Sequence, residues 1–150
     1  WFDEHLEVFH HVNMGIGTAL GNAGLIVPVI QDVQDMDLKA IAARLADLTG
    51  RARDNKLKPE DVRDGTFTIS NHGVSGSLFA TPIIINQPQS AILGVGKIEK
   101  RVKIREIDGQ DVITIKPMCY ISLTIDHRVL DGHQTNAFLS TMVETLETWS

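Results

Sequence analysis

Cysteine is almost missing from this chain: Cys119 is the single one in 150 residues. One cysteine excludes an intrachain disulfide framework and fits a reducing compartment. Dense cationic runs are missing as well. The net charge is −5, and the most basic stretch, Lys97 to Arg105, alternates its charges with apolar residues as a strand with one wet face would. A nucleic-acid or other polyanion surface is therefore not expected. No apolar run reaches the ~20 residues of a membrane-spanning helix, and no secretory leader is visible, so no membrane role is expected. Internal repeats and low-complexity segments are also lacking, which excludes a solenoid.

What is present is ordinary globular material. Hydrophobic residues make up 43% and charged residues 22%, enough for one domain with a real core. Residues 12–20 alternate, with Val12, Met14 and Ile16 against Asn13 and the glycines, and read as a strand. Gly21-Asn22-Ala23-Gly24 is a turn, and Leu25 to Ile30 returns to form a hairpin, with Pro28 at an edge or bulge. Asp37 caps a helix whose apolar stripe is Leu38, Ile41, Ala42, Leu45 and Leu48, fading from Arg51 to Lys56. Pro59 opens one short helical turn.

Gly65 to Ser70 is a strand with Phe67 and Ile69 against Thr66 and Thr68, followed by the glycine- and hydroxyl-rich loop Asn71 to Ser77. Ile83 to Ile85 reads as a short strand. Ala91 to Glu106 is long and extended, turns at Asp108-Gly109, and returns from Val112 to Ile125 with a kink at Pro117. A terminal helix carries Phe138, Met142, Leu146 and Trp149 as a stripe that docks on a sheet. Interspersed helices and hairpins point to α+β: a mixed or largely antiparallel sheet with helices packed on one face.

The last strand ends in Asp126-His127-Arg128-Val129-Leu130-Asp131-Gly132. Histidine is the side chain best matched to moving protons near neutral pH. Asp131 stands where it can cap the coming helix or pair with Arg128 or another cation, Asp126 and Arg128 have similar structural tasks, and Gly132 permits a tight turn.

Asp-His-Arg-x-x-Asp-Gly resembles the signature of the acyltransferase components of 2-oxo acid dehydrogenase complexes; chloramphenicol acetyltransferases share the shorter His-x-x-x-Asp-Gly. Gly24-Leu25-Ile26-Val27-Pro28-Val29, Gly65 to Asn71, Thr81-Pro82-Ile83-Ile84 and Gln89 to Gly94 follow in the family's order, from about Val12 to Trp149. The resemblance implies a chloramphenicol acetyltransferase-like two-layer sandwich. It also implies that the family's catalytic domain begins before Trp1, so that these residues are a fragment lacking its N-terminal part, the lipoyl domain and the subunit-binding domain. A bacterial cytoplasm or a mitochondrial matrix is the implied location.

The implied reaction moves an acyl group from dihydrolipoyl-lysine, carried on another domain, to coenzyme A. Its barrier has two parts: a thiol with pKa near ~8.5 must lose its proton, and attack on the thioester creates an oxyanion. By resemblance, His127 is the base and Asp131 belongs to the catalytic set, mainly by holding the His127 loop. Ser70 is the oxyanion donor, with Ser75 and Ser77 as rivals whose loop also approaches substrate, and Asn71 lies near coenzyme A. The family splits this site between subunits. Its homotrimers build a cubic or icosahedral core that holds 2-oxo acid decarboxylase and dihydrolipoamide dehydrogenase components. A non-catalytic assembly scaffold is the second reading.

The Ser75 to Pro82 and Pro88 to Gly94 stretches resemble succinyl-transferring members, which places succinyl slightly above acetyl or branched-chain acyl. Gly96, however, stands where some succinyl enzymes have histidine. Two departures stand against the family pattern: Leu20 replaces an aspartate that binds coenzyme A in some relatives, and relatives supply other coenzyme A contacts from the segment before Trp1, so that part of the substrate tunnel is expected to be lacking here. Other chemistries fare poorly. Gly73-Val74-Ser75-Gly76 fails the spacing of a hydrolase elbow. His10-His11 point to opposite strand faces, and His127 and His133 lack a ligand partner, so no metal is expected. Gly94-x-Gly96 is no dinucleotide fingerprint. Cys119 is expected to pack inside a strand.

Overall fold

The computed structural model describes residues 5–149. Its centre is a five-stranded mixed sheet in the order β4-β1-β5-β6-β9, formed by Val29–Ile30, Met14–Ile16, Phe67–Asn71, Ala91–Val95 and Ile121–Ile125. Strands β1, β5 and β6 run parallel, and the outer strands β4 and β9 run antiparallel to their neighbours. Two short strands, β2 (Thr18–Ala19) and β3 (Leu25–Ile26), form a side ribbon, and β7 (Glu99–Ile107) and β8 (Gln110–Met118) form a long one. Helices α1 (Leu38–Arg53) and α2 (Gly132–Glu147) complete an α+β fold.

The expected first hairpin is present but broken in the middle. The strand expected over 12–20 divides at Gly17 into β1 and β2, and its return divides before Pro28 into β3 and β4, so each half pairs separately. Pro28 enters the sheet-edge strand as anticipated. Asn13, placed on the face opposite Val12, Met14 and Ile16, is itself buried, at 3% exposed. Its side chain accepts from Asp32 N (2.9 Å) and donates to the Asp64 carbonyl (2.8 Å), joining three segments at the start of β1.

Strand β5 departs from simple alternation for the same reason: as a central strand it is covered on both faces. Thr68 is 1% exposed, and its hydroxyl donates to the buried Gln89 side chain at 2.6 Å. A Cβ at Gly15, its partner on β1, would stand 2.7 Å from that hydroxyl, so only glycine lets the two strands meet here.

Asp37 caps α1 by accepting from Ala40 N at 2.7 Å. The helix ends at Arg53, within the run over which fading is expected; Leu48 and Ala52 are buried, whereas Leu38 stands exposed outside the working stripe. Arg51 ties down this end. It pairs within the helix with Asp47 (2.9 Å) and across with Asp61 (2.5 Å), in the 3₁₀ turn Pro59–Val62 that precedes β5.

Three further expectations fail. Ile83 and Ile84 are exposed and in no strand. The long strand expected over 91–106 divides around Gly96, where a Cβ would collide with the Leu78 carbonyl. Cys119 lies exposed between β8 and β9 and is not packed in a strand. The terminal helix docks only in part. The Phe138 ring meets Phe67 at 6.0 Å, but no residue of α2 is buried, and Trp149 lies beyond the helix, 69% exposed.

The Arg51 guanidinium beside Asp61 and the Lys58 N–H hold that carboxyl at about 2, below its usual value near ~3.9. A lowered folded-state pKa contributes stability above the unfolded value and loses it as pH falls through the folded one. Asp61→Asn is therefore expected to lower stability by roughly 1.5–3 kcal/mol at neutral pH and to flatten the loss of stability between about pH 4 and 2. Denaturant melts of both proteins across that range measure it.

Candidate active site

Ser70 stands near the end of β5, half-buried. Its ladder partners leave room around it. Gly94 is opposite on β6, and on the other side Gly17 donates to the Ile69 carbonyl at 2.9 Å. A Cβ at Gly17 would come within 3.4 Å of Ser70 Oγ. Glycines thus stand beside Ser70 on both neighbouring strands. The slot over Gly94 is taken by the segment Ala80–Pro82, held by a Ser122 hydroxyl donating to the Ala80 carbonyl at 2.6 Å.

The loop after β5 folds back on the strand. The Asn71 carboxamide oxygen accepts from Gly73 N (2.9 Å) and Val74 N (3.4 Å), which closes a 3₁₀ turn and leaves its NH₂ group to bind elsewhere. Ser75 and Ser77 hold the turn through their backbone N–H groups, both donating to the His72 carbonyl, while both residues stay exposed. Gly73 rests against Gly96 too closely for any side chain. Of the three serines, only Ser70 lies in the sheet ladder, and its hydroxyl lies 3.1 Å from His72 Nε2. His72 is not among the site residues expected from the sequence. The signal available in the sequence is the two-residue spacing, which puts Ser70 and His72 on one face of an extended chain.

His127 occupies the exposed turn after β9. Asp126 builds that turn. Its carbonyl accepts from Val129 N (2.9 Å) and Leu130 N (3.1 Å), and its carboxylate takes Arg128 Nε at 2.9 Å and Nη2 at 2.6 Å. The guanidinium and the Arg128 N–H hold the Asp126 carboxyl at about 2. Asp131 ends the turn as a helix cap, accepting from Gln134 N at 2.9 Å while the Gln134 side chain accepts from Asp131 N at 3.2 Å. Asp131 therefore takes the capping role, and the cation of this turn pairs with Asp126 instead. Gly132 corrects an expectation: it has no positive φ, and a Cβ there would meet open space. The turn does not need glycine.

Ser70 and His127 are not neighbours within one chain. Ser70 is level with Gly94, while Asp126 N donates to the Ser90 carbonyl at 2.8 Å, four residues back along the same line of chain. At ~3.3 Å per residue the separation along the sheet is about 13 Å. The two residues stand at opposite ends of the sheet. A cavity of about 290 Å³ lies between α2 and the sheet, lined by Phe67, Gln89, Leu123, Leu130, Gln134 and Phe138 among others, but by neither Ser70 nor His127. Among the described residues no group of three His, Cys, Asp or Glu side chains gathers as a metal would require.

The family described as 2-oxoacid dehydrogenases acyltransferase (catalytic domain) matches residues 1–150. The chain is 45% identical, over 95% of its length, to the dihydrolipoyllysine-residue acetyltransferase component of the pyruvate dehydrogenase complex of Corynebacterium glutamicum, of which it spans 21%. It is 48% identical, over 88% of its length, to the dihydrolipoyllysine-residue succinyltransferase component of the 2-oxoglutarate dehydrogenase complex of Rickettsia bellii, spanning 32% of it. Among solved structures, a probable dihydrolipoamide acetyltransferase from Listeria monocytogenes superimposes on all of this chain with a TM-score of 0.90 and 36% identity, over 62% of that chain. A dihydrolipoamide acetyltransferase from Azotobacter vinelandii, studied for the catalytic roles of a serine, a histidine and an asparagine, covers 97% with a TM-score of 0.86 and 32% identity, over 57% of that chain. The cubic core of a pyruvate dehydrogenase multienzyme complex covers 92% with a TM-score of 0.82 and 33% identity, over 54% of that chain. The sheet and helices described above are thus those of the chloramphenicol acetyltransferase-like sandwich.

The capping geometry separates two roles for Asp131. Asparagine caps a helix as well as aspartate, so Asp131→Asn is expected to keep the stability of the protein, while Asp131→Ala lowers it by about 1 kcal/mol. Thermal melts, with amide exchange at Gln134 and Thr135, measure the difference.

Proposed function

The chain belongs to the catalytic-domain family of the 2-oxoacid dehydrogenase acyltransferases, and from that premise we propose that it transfers an acyl group from dihydrolipoyl-lysine to coenzyme A at a site shared between subunits. The chain spans a third or less of the length of the curated relatives it matches, and the lipoyl-lysine belongs to a domain outside these residues. The observation that carries the reading is the pair formed by Ser70 and His127: each is held by its own local structure, and the two stand at opposite ends of one sheet. One chain cannot bring them to one thioester; two copies facing each other can. The histidine and asparagine studied in the Azotobacter protein are four positions apart, the spacing of His127 and Asp131 here.

In this reading His127 takes the proton from the coenzyme A thiol as its sulfur attacks the acyl carbonyl. A tetrahedral intermediate forms, and the Ser70 hydroxyl of the neighbouring copy donates to its oxyanion. The intermediate collapses, the carbon–sulfur bond to dihydrolipoamide breaks, and His127 returns the proton to the departing sulfur. One thioester and one thiol are exchanged for another pair, so no cofactor or metal has to supply energy. Asp126, Arg128 and Asp131 keep the His127 turn in place. The Asn71 amide and the exposed Ser75 and Ser77 hydroxyls face solvent beside Ser70, where coenzyme A would approach.

Assembly into a multimeric core fits the surface. The accessible area is 10572 Å², about 3,000 Å² more than a compact monomer of this mass exposes. Val102, Ile104, Ile113 and Ile115 on the β7–β8 ribbon are all more than 60% exposed, an apolar surface of the kind that partner copies or neighbouring segments cover. A trimeric building block of a cubic or icosahedral core, with decarboxylase and dihydrolipoamide dehydrogenase partners, is the assembly we propose. For the acyl group we favour succinyl, on the Ser75 to Pro82 stretch and on the 48% identity to a succinyltransferase component against 45% to an acetyltransferase component.

On the assembled full-length protein, His127→Ala is expected to lower transfer by roughly 10²–10⁴-fold and Ser70→Ala by about 10²–10³-fold, with the fold kept. Mixed assemblies of the two inactive variants are expected to recover roughly a quarter of wild-type activity, since each site takes one residue from each copy. No recovery on mixing would refute the shared site. An assembled but inactive wild type would leave only the scaffold reading. Parallel assays with succinyl, acetyl and isobutyryl donors test the acyl group, and faster transfer of either of the last two ends the succinyl assignment.

A further inference from the structure

The Ser70 hydroxyl has one proton and two neighbours that compete for it: the oxyanion of the reaction proposed above, on which this inference rests, and the His72 ring. We propose that His72 is a positioning residue, which donates from Nε2 to Ser70 Oγ and so leaves the Ser70 proton free for the oxyanion.

The contact is built into the chain. Ser70 is the next-to-last residue of β5, and His72 follows the strand directly, at the start of the 3₁₀ turn Gly73–Ser75. Both backbone polar groups of His72 are engaged. Its N–H donates to the Val95 carbonyl at 2.9 Å, one step past the β5–β6 ladder, and its carbonyl accepts from Ser75 N (3.1 Å) and Ser77 N (3.3 Å). The ring is half-buried, with Nε2 at 3.1 Å from Ser70 Oγ. The flanking glycines at 17 and 94 offer no competing side-chain donor.

The sense of this hydrogen bond decides what Ser70 can do. With a proton on Nε2, the ring donates, the hydroxyl oxygen accepts, and the serine O–H is released toward substrate. With Nε2 bare, Ser70 donates to the ring and presents only lone pairs to the developing oxyanion, which they repel. The opposite use, in which His72 withdraws the proton to make Ser70 a nucleophile, normally has a carboxylate behind the second ring nitrogen. Among the described residues no carboxylate is bonded to His72.

Steady-state kinetics on the assembled full-length protein separate these roles, with His72→Leu, His72→Gln and each combined with Ser70→Ala. Gln keeps an N–H donor close to the Nε2 position, and Leu keeps bulk without one. His72→Leu is expected to lower kcat roughly tenfold at nearly unchanged KM for coenzyme A, and His72→Gln to keep most of it. In the Ser70→Ala background His72→Leu should have no further effect. An equal loss in both backgrounds, or a Gln variant as impaired as Leu, overturns the proposal. So does accumulation of an acyl group on Ser70, seen by mass spectrometry, because Ser70 would then be the nucleophile. If Ser70→Ala itself leaves transfer intact, the oxyanion assignment of Ser70 has failed. If Ser70→Ala is impaired and His72→Leu is not, only the present inference has.

Discussion

The hydrogen bond from the Thr68 hydroxyl to Gln89, 2.6 Å long and closed off from water, fixes the register on which the other features of the sheet depend. Both groups lie in the interior, 1% and 4% exposed, where an unpaired partner costs about 1–3 kcal/mol. Gln89 stands just ahead of β6, so the bond ties the middle of β5 to the entrance of its neighbour. A slip of one residue would turn Thr68 away from Gln89 and reverse the faces of the whole strand. Gly15 on β1 completes the arrangement by leaving space for the threonine hydroxyl.

That register has a chemical consequence. It carries Ser70 to one end of the sheet and, through the antiparallel pairing of β9, carries His127 to the other. On the proposed reading, in which base and oxyanion donor must both reach one thioester carbonyl, a single copy of this sheet would be half of two different sites. The exposed apolar ribbon of β7 and β8 and the large accessible area fit the assembly proposed above. On that proposal, oligomerisation and catalysis become one requirement, set by strand direction.

The two ends are held by different means. At the His127 end, ionic and capping contacts of Asp126 and Asp131 brace an exposed turn from both sides. At the Ser70 end the means are steric: glycines at 73, 94 and 96 admit backbone and loop segments at distances no side chain permits. Substitutions at the first end act through charge and helix formation, and at the second through packing.

Much of this was legible in the chain itself. The Asp126 to Gly132 signature, the caps at Asp37 and Asp131, the turn at Asp108-Gly109 and the α+β class rest on local rules: residue type, short spacing and chain periodicity. What required the tertiary structure were matters of neighbourhood. The burial of Asn13 and Thr68 is not visible in the alternation, which cannot tell a strand covered on both sides from one covered on a single side. The break at Gly96 comes from contact with the Leu78 carbonyl, a residue distant in sequence. Cys119 is exposed because the chain passes from the ribbon to β9 at that point. The sequence by itself determined which residues are candidates for the chemistry, since their types and order survive any arrangement. Only the tertiary structure decided that Ser70 meets His72 and stands away from His127, because strand order and direction follow from packing between segments far apart in the chain.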